Sequence, residues 1–88
     1  MTLYAIIVAQ RAKKQVERLP IRLKDRIGVI LEEVLAADPF VGKSLKGALK
    51  GLYSYRIGDY RIIYDVIKDR LAIRVVKGMH RREVYRGP

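Results

Sequence analysis

The spacing of apolar residues predicts an α+β fold in the order β-α-α-β-β-β, a mainly antiparallel sheet carrying a helical hairpin on one face. Three observations support it. Leu3 to Val8 is a short, partly β-branched apolar run, residues 9 to 37 switch to a helical period broken once by Pro20, and three strand-like runs then follow with short junctions between them.

Each element has a local reason. From Ala9 to Leu19 the apolar positions Ala12, Val16 and Leu19 fall on one helical face, with Arg11, Lys13, Lys14, Gln15, Glu17 and Arg18 around the rest. Pro20 ends that helix and can open the next, because its fixed φ and missing N–H are harmless at a first helical position. The second helix, Ile21 to about Ala37, buries Leu23, Ile27, Ile30, Leu31, Val34 and Leu35 and stops at Asp38-Pro39. Phe40 to Gly51 has three glycines, three lysines and no period, so it reads as a basic loop without the order of a nucleotide-binding P-loop. The final strands are Leu52 to Ile57, Tyr60 to Ile67 and Arg70 to Lys77, joined by tight turns at Gly58-Asp59 and Lys68-Asp69. The chain then turns at Gly78 into a polar tail. One sheet face should remain free for function.

The 88 residues fit one domain, 1–88, with a modest core. With no cysteine and a single histidine, His80, disulfides, thiol nucleophiles and Cys- or His-based metal sites are excluded, so neither a metal nor a small-molecule cofactor is expected. No apolar run approaches the roughly 20 residues of a membrane span, so the expectation is a soluble, cytoplasmic protein with no membrane partner. The formal net charge is +10, and residues 41–88 hold twelve basic residues against four acidic ones. Five of the six tyrosines lie in that half as well. Interleaved cations and hydrogen-bonding aromatics suit a phosphate backbone with unstacked bases.

The turn at Gly58-Asp59 fixes a register. As central residues of a type I′ or II′ turn they set Ile57 opposite Tyr60, Arg56 opposite Arg61, Tyr55 opposite Ile62 and Ser54 opposite Ile63. Two guanidinium groups thus face each other, which is unfavourable unless an anion sits between them. The pair is a candidate clamp for phosphate, whose oxygens match the guanidinium fork. Carrying the register through Lys68-Asp69 puts Arg74 opposite Ile63 and Val76 opposite Arg61, with Arg56, Arg61 and Arg74 on one face and Asp65 near Arg74. The tail should bring His80, Arg81, Arg82 and Tyr85 close to this sheet edge.

Metal-free RNA cleavage needs a base for the 2′-OH, cations for the crowded phosphorane and an acid for the leaving 5′-oxygen. An imidazole suits either proton-transfer role, which makes His80 a candidate, a tyrosine or lysine being the alternative. Arg56 and Arg61 suit charge stabilisation, and Tyr85 suits stacking on a base. The charged helix face of Lys13, Lys14, Arg18, Arg22 and Arg26 reads as solvated.

The run Gly51-Leu52-Tyr53-Ser54-Tyr55-Arg56-Ile57-Gly58-Asp59-Tyr60-Arg61-Ile62-Ile63-Tyr64, with Val75-Val76-Lys77-Gly78 and His80-Arg81-Arg82-Glu83-Val84-Tyr85, resembles the RelE/ParE superfamily of toxins. The resemblance covers nearly the whole chain and implies the RelE-like fold of a type II toxin–antitoxin toxin. RelE-like members cut mRNA in the ribosomal A site, whereas ParE-like members poison DNA gyrase. Both kinds are held by a cognate antitoxin, RelB-like for the first, whose acidic or amphipathic segment wraps the toxin.

The RelE-like branch implies a ribosome-dependent, metal-independent endoribonuclease, with Arg56, Arg61, His80, Arg81 and Tyr85 as catalytic candidates. Lys43, Lys46, Lys50, Arg74, Lys77, Arg82 and Arg86 are candidates for contact with mRNA and ribosome. Ser54 stands where the best-known RelE members have a lysine, so His80 or a loop lysine (Lys43, Lys46 or Lys50) must replace it, or activity is weak. The alternatives are a gyrase-binding toxin without nuclease activity and a plain nucleic-acid-binding module.

Overall fold

The computed structural model describes residues 3–80. The order is β1 (Ala5–Val8), α1 (Gln10–Glu17), α2 (Ile21–Val29) running on into a π-helical segment (Ile30–Leu35), β2 (Lys43–Ser44), β3 (Tyr53–Ile57), β4 (Tyr60–Ile67) and β5 (Ala72–His80). The five strands form one sheet ordered β1-β5-β4-β3-β2, in which β1 runs parallel to β5 and every other pairing is antiparallel. The α+β architecture with two helices on a mostly antiparallel sheet is the one expected. The addition is β2, a two-residue strand inside the segment read as a loop.

The helices follow their apolar stripes. Ile27, Leu31 and Leu35 are buried at helical spacing, and with Ala12 of α1 they cover Ile57, Ile62, Tyr64, Ile73 and Val75 of the sheet. The Pro20 carbonyl accepts from the N–H groups of Leu23 and Lys24, both at 3.0 Å, so the proline opens α2 as its geometry allows. The α-helix does not continue to Ala37. It widens after Val29, and the Ala36 N–H reaches back five residues to the Leu31 carbonyl at 3.0 Å.

The first hairpin has the expected register, with Arg56 opposite Arg61 and Ser54 opposite Ile63. Gly58 has φ 61 and Asp59 has no positive φ, the pattern of a type II′ turn. The second hairpin differs. Its connection is the four residues 68–71, with Leu71 left-handed at φ 50, so Arg74 stands opposite Asp65 and not Ile63. A β-bulge then leaves Val76 without a partner between Val75, opposite Tyr64, and Lys77, opposite Ile63. Met79, and not Val76, therefore stands opposite Arg61. Nor does the chain turn at Gly78: β5 continues to His80, and Gly78 is buried where an added Cβ would strike the Tyr60 ring and hydroxyl.

β1 ends at Val8, opposite Val75, so among the described residues no strand flanks β5 on that side beyond this point. Gln15 of α1 substitutes for one, its side-chain oxygen accepting the Gly78 N–H at 2.9 Å. At the other side of the sheet the Tyr64 hydroxyl donates to the Pro39 carbonyl at 2.8 Å. The Tyr64 ring stacks on Tyr53 at 5.6 Å, and Phe40 meets Tyr53 edge-on at 5.8 Å. A Cβ on Gly42 would collide with that hydroxyl, so glycine lets the chain pass closely over it.

Burial pushes the Tyr64 phenol up to about 12, opposed by a hydrogen bond with the Gly42 backbone and reinforced by the charges of Tyr53, Asp38 and Tyr55. A raised pKa means that the fold holds the proton more tightly than the unfolded chain does. Its contribution to stability is complete below pH 10.0 and is lost as pH rises toward about 12. Tyr64→Phe is expected to cost about 1 to 2 kcal/mol at neutral pH through the lost hydrogen bond, and to abolish this alkaline loss. Urea titrations from pH 7 to 12 check both.

Candidate nucleic-acid interface

Strand pairing arranges the face away from the helices in rows. Arg56 of β3, Arg61 of β4 and Met79 of β5 form one row; Lys43 of β2, Ser54 of β3, Ile63 of β4 and Lys77 of β5 form the next. Successive rows are about 7 Å apart along the strands. A third holds Asp65 and Arg74. The face is not free along its whole length, since Ser54 and Ile63 are buried, and Gly42 packs against the Ser54 carbonyl.

The two arginines differ in what they touch. Arg56 folds back so that Nε donates to the Gly58 carbonyl at 3.0 Å, which fixes its guanidinium beside the turn. Arg61 is half-buried, and among the described residues no carboxylate pairs with it, with Arg56 or with Lys43. Val41, Lys43, Ser54, Tyr55, Arg56 and Arg61 line a single cleft of about 350 Å³. It is an anion-shaped recess: three cations converge on it and none has a carboxylate counter-ion among the described residues.

Lys43 is the surprise in this group. It stands directly opposite Ser54 on the adjacent strand, so one of the three loop lysines joins the arginines at the position where the resemblance leaves a lysine missing. Lys46 and Lys50 flank the 3₁₀ turn Gly47–Leu49 and do not line the cleft. The cue was cross-strand pairing, which a two-residue strand leaves almost invisible in a sequence. Arg74 is engaged by Asp65 through Nη2–Oδ2 at 2.7 Å and Nε–Oδ1 at 3.2 Å, so its charge is already answered. Lys77 shares the Lys43 row.

His80 belongs to β5 and not to a tail. It pairs with Tyr60, one residue out of step with Met79 opposite Arg61, so strand alternation sets it on the helix side of the sheet and not in the arginine row. Arg81, Arg82, Tyr85 and Arg86 lie outside the described residues.

A second concavity has the opposite character. Between the helices and the sheet, Val16, Ile27, Leu31, Tyr60, Ile62 and Val75 line an apolar groove of about 510 Å³, and Lys13, Glu17 and Lys24 border it. At Gly28, also in its wall, an added Cβ would meet nothing within 4 Å.

The family described as "ParE toxin of type II toxin-antitoxin system, parDE" matches residues 6–85. The chain belongs to that family. Toxin RelG of Mycobacterium tuberculosis is 27% identical to this ParE-family toxin over 84 residues, covering 94% of this chain and 97% of RelG. The toxin in the crystal structure of the RelBE2 toxin–antitoxin complex from the same organism superimposes with a TM-score of 0.86 at 27% identity, covering 92% of this chain and 94% of the other. A chain of the RelB-RelE antitoxin–toxin complex from Methanococcus jannaschii gives 0.72 at 26% identity, covering 91% and 95%. This ParE-family protein is therefore a toxin of a type II toxin–antitoxin system. Among the described residues of the toxin, no helix is long and apolar enough to cross a membrane.

Opposed like charges cost a few tenths of a kcal/mol, so Arg61→Gln is expected to leave thermal stability unchanged or to raise it slightly. The same change should weaken binding to single-stranded RNA and lower the slope of log K against log salt by about 0.7, one phosphate contact. Fluorescence anisotropy at several salt concentrations measures this, and a steep loss of stability in Arg61→Gln would contradict the reading of Arg61 as a residue kept for its ligand.

Proposed function

We propose that this toxin is a ribosome-dependent, metal-independent mRNA endoribonuclease, restrained by a RelB-like antitoxin and acting in the cytoplasm. The observation that carries the proposal is the cleft in which Lys43, Arg56 and Arg61 converge without a carboxylate partner among the described residues. Opposed arginines weaken a sheet, and a phosphate between them turns repulsion into two-sided attraction. In the reaction the 2′-oxygen attacks its own 3′-phosphate, the P–O5′ bond breaks, and a 2′,3′-cyclic phosphate and a 5′-hydroxyl result. Arg56 and Arg61 bear the charge that grows on phosphorus as the phosphorane forms. Of the two candidates for taking the 2′-OH proton, Lys43 shares the cleft with the arginines, whereas strand alternation sets His80 on the other face of the sheet. Arg81 and Tyr85 follow it in the chain and are assigned to phosphate contact and base stacking, with Lys77, Arg82, Arg86, Lys46 and Lys50 toward ribosomal RNA. Arg74 contributes least, because Asp65 holds it.

The antitoxin is assigned to the apolar groove. Its aliphatic lining and its bordering lysines Lys13 and Lys24 suit the apolar face of an amphipathic segment with acidic flanks. The similar toxins of M. tuberculosis and M. jannaschii were crystallised with their antitoxins. Gly28→Phe fills the groove from open space, so it is expected to preserve toxicity and weaken neutralisation at least tenfold in co-expression titrations.

The match to a family named for ParE favours one other reading, a toxin that binds DNA gyrase and cuts no RNA. Expression without antitoxin decides between them. The expected outcome is growth arrest with mRNA cut inside translated codons, relieved by Arg61→Ala combined with Tyr85→Phe. Intact transcripts together with broken chromosomal DNA would establish gyrase as the target.

A further inference from the structure

We propose that Arg11, Lys14 and Arg18 of α1 form a second phosphate-binding segment, which holds the nucleotides of a single-stranded RNA that lie beyond the one seated between Arg56 and Arg61. This rests on the reading of the cleft as an RNA phosphate site and adds to it the path that the rest of the strand takes.

The turn of the helix places these residues. At about 100° per residue, Gln15 lies about 60° round from the core residue Ala12, Arg11 about 100° and Arg18 about 120° in the same sense, and Lys14 about 160°. Val16, Lys13 and Glu17 turn the other way and line the apolar groove. Gln15 is fixed at the open edge of β5, where its side-chain oxygen accepts the Gly78 N–H at 2.9 Å. Core and groove both lie on the helix side of the sheet, so the residues next round from Gln15 stand beyond that edge, toward the face that carries Arg56 and Arg61. The level agrees. Gly78 is opposite Ile62, between the row of Arg61 and the row of Ile63, so α1 passes the edge where the cationic face reaches it.

Charge points the same way. Arg11, Lys14 and Arg18 are exposed, and among the described residues none of them forms an ion pair. Glu17, the acidic residue of α1, turns to the groove. β5 contributes Met79 to the arginine row and Lys77 to the next, so no carboxylate of that strand interrupts the interval between Arg61 and the helix. Three strand spacings of about 4.8 Å separate β2 from β5 and the radius of the helix adds about 5 Å, so the cationic band runs about 20 Å across the strands. A stacked strand rises about 3.4 Å per nucleotide. One nucleotide cannot reach both ends of the band, whereas several in succession can, and a backbone that follows a basic track needs no base-specific contact to do so.

Arg11→Gln combined with Arg18→Gln removes two charges and keeps good helix formers. Arg22→Gln combined with Arg26→Gln removes the same charge from exposed positions of α2 and serves as the control. Fluorescence anisotropy at several salt concentrations is measured with a trinucleotide and a dodecanucleotide of 2′-O-methyluridine, which resist cleavage because the attacking hydroxyl is blocked. The Arg11/Arg18 variant is expected to bind the longer RNA on the order of tenfold more weakly. The slope of log K against log salt should fall by about 1.4, at about 0.7 for each lost phosphate contact. Its binding of the trinucleotide should match wild type, which also shows that the variant is folded, and the α2 control should match wild type on both RNAs.

Dodecanucleotide binding by the Arg11/Arg18 variant equal to wild type overturns the proposal. An equal loss in the α2 control overturns it too, because the effect is then one of net charge and not of place. Retained RNA affinity together with weakened neutralisation by the antitoxin would give the stripe to an acidic protein segment instead. If Arg61→Gln leaves both RNAs bound as in wild type, the reading of the cleft itself fails, a result distinct from the other three.

Discussion

The Tyr64 hydroxyl is the point on which the working face depends. Its hydrogen bond to the Pro39 carbonyl ties the middle of the sheet to the segment that leaves the second helix. Tyr53 stacks beneath it and Phe40 closes the edge, so Pro39 to Gly42 is pressed against β4 by aromatic contacts and one buried phenol. The next residue, Lys43, begins β2 and stands opposite Ser54 of β3. Without that tie a two-residue strand has too few backbone bonds to hold its own register. A core tyrosine thereby fixes a surface lysine.

The charges divide by purpose. Arg74 and Asp65 form a two-toothed pair that answers itself, as a structural pair would. Arg56, Arg61 and Lys43 gather with no such answer among the described residues. A sheet gains nothing from that crowding, and the strands would hold as well with neutral side chains there. Residues that cost the fold something and repay it only when an anion arrives are the signature of a ligand site.

Much of this was legible in the sequence, and the reasons are specific. Gly58-Asp59 fixes the Arg56–Arg61 register because a glycine with positive φ selects the turn and the turn selects the pairs. Lys68-Asp69 misleads because Leu71, a residue with no turn chemistry, takes the left-handed position and lengthens the loop to four residues. The bulge at Val76 leaves no mark in the run Ala72-Ile73-Arg74-Val75-Val76-Lys77, where apolar pairs alternate with single cations. Lys43 was one of three equivalent lysines until a short strand set it against Ser54. The part of the site carried by Arg81, Arg82, Tyr85 and Arg86 rests on resemblance alone.

The bulge also governs which residues of β5 face which partner. Val76 advances the alternation of the strand by one step, so Lys77 joins the cationic face and Gly78 slips under the Tyr60 ring. Pair Val76 regularly with Ile63 and the phase inverts: Lys77 would be driven into the apolar layer opposite Ile62, and Gly78 would replace a side chain on the cationic surface opposite Arg61. The strand therefore carries a frameshift in space rather than in codons. Substitutions in β5 are judged one position at a time, but a change that irons out the bulge while keeping Val76 rewrites both faces of the sheet beyond it at once.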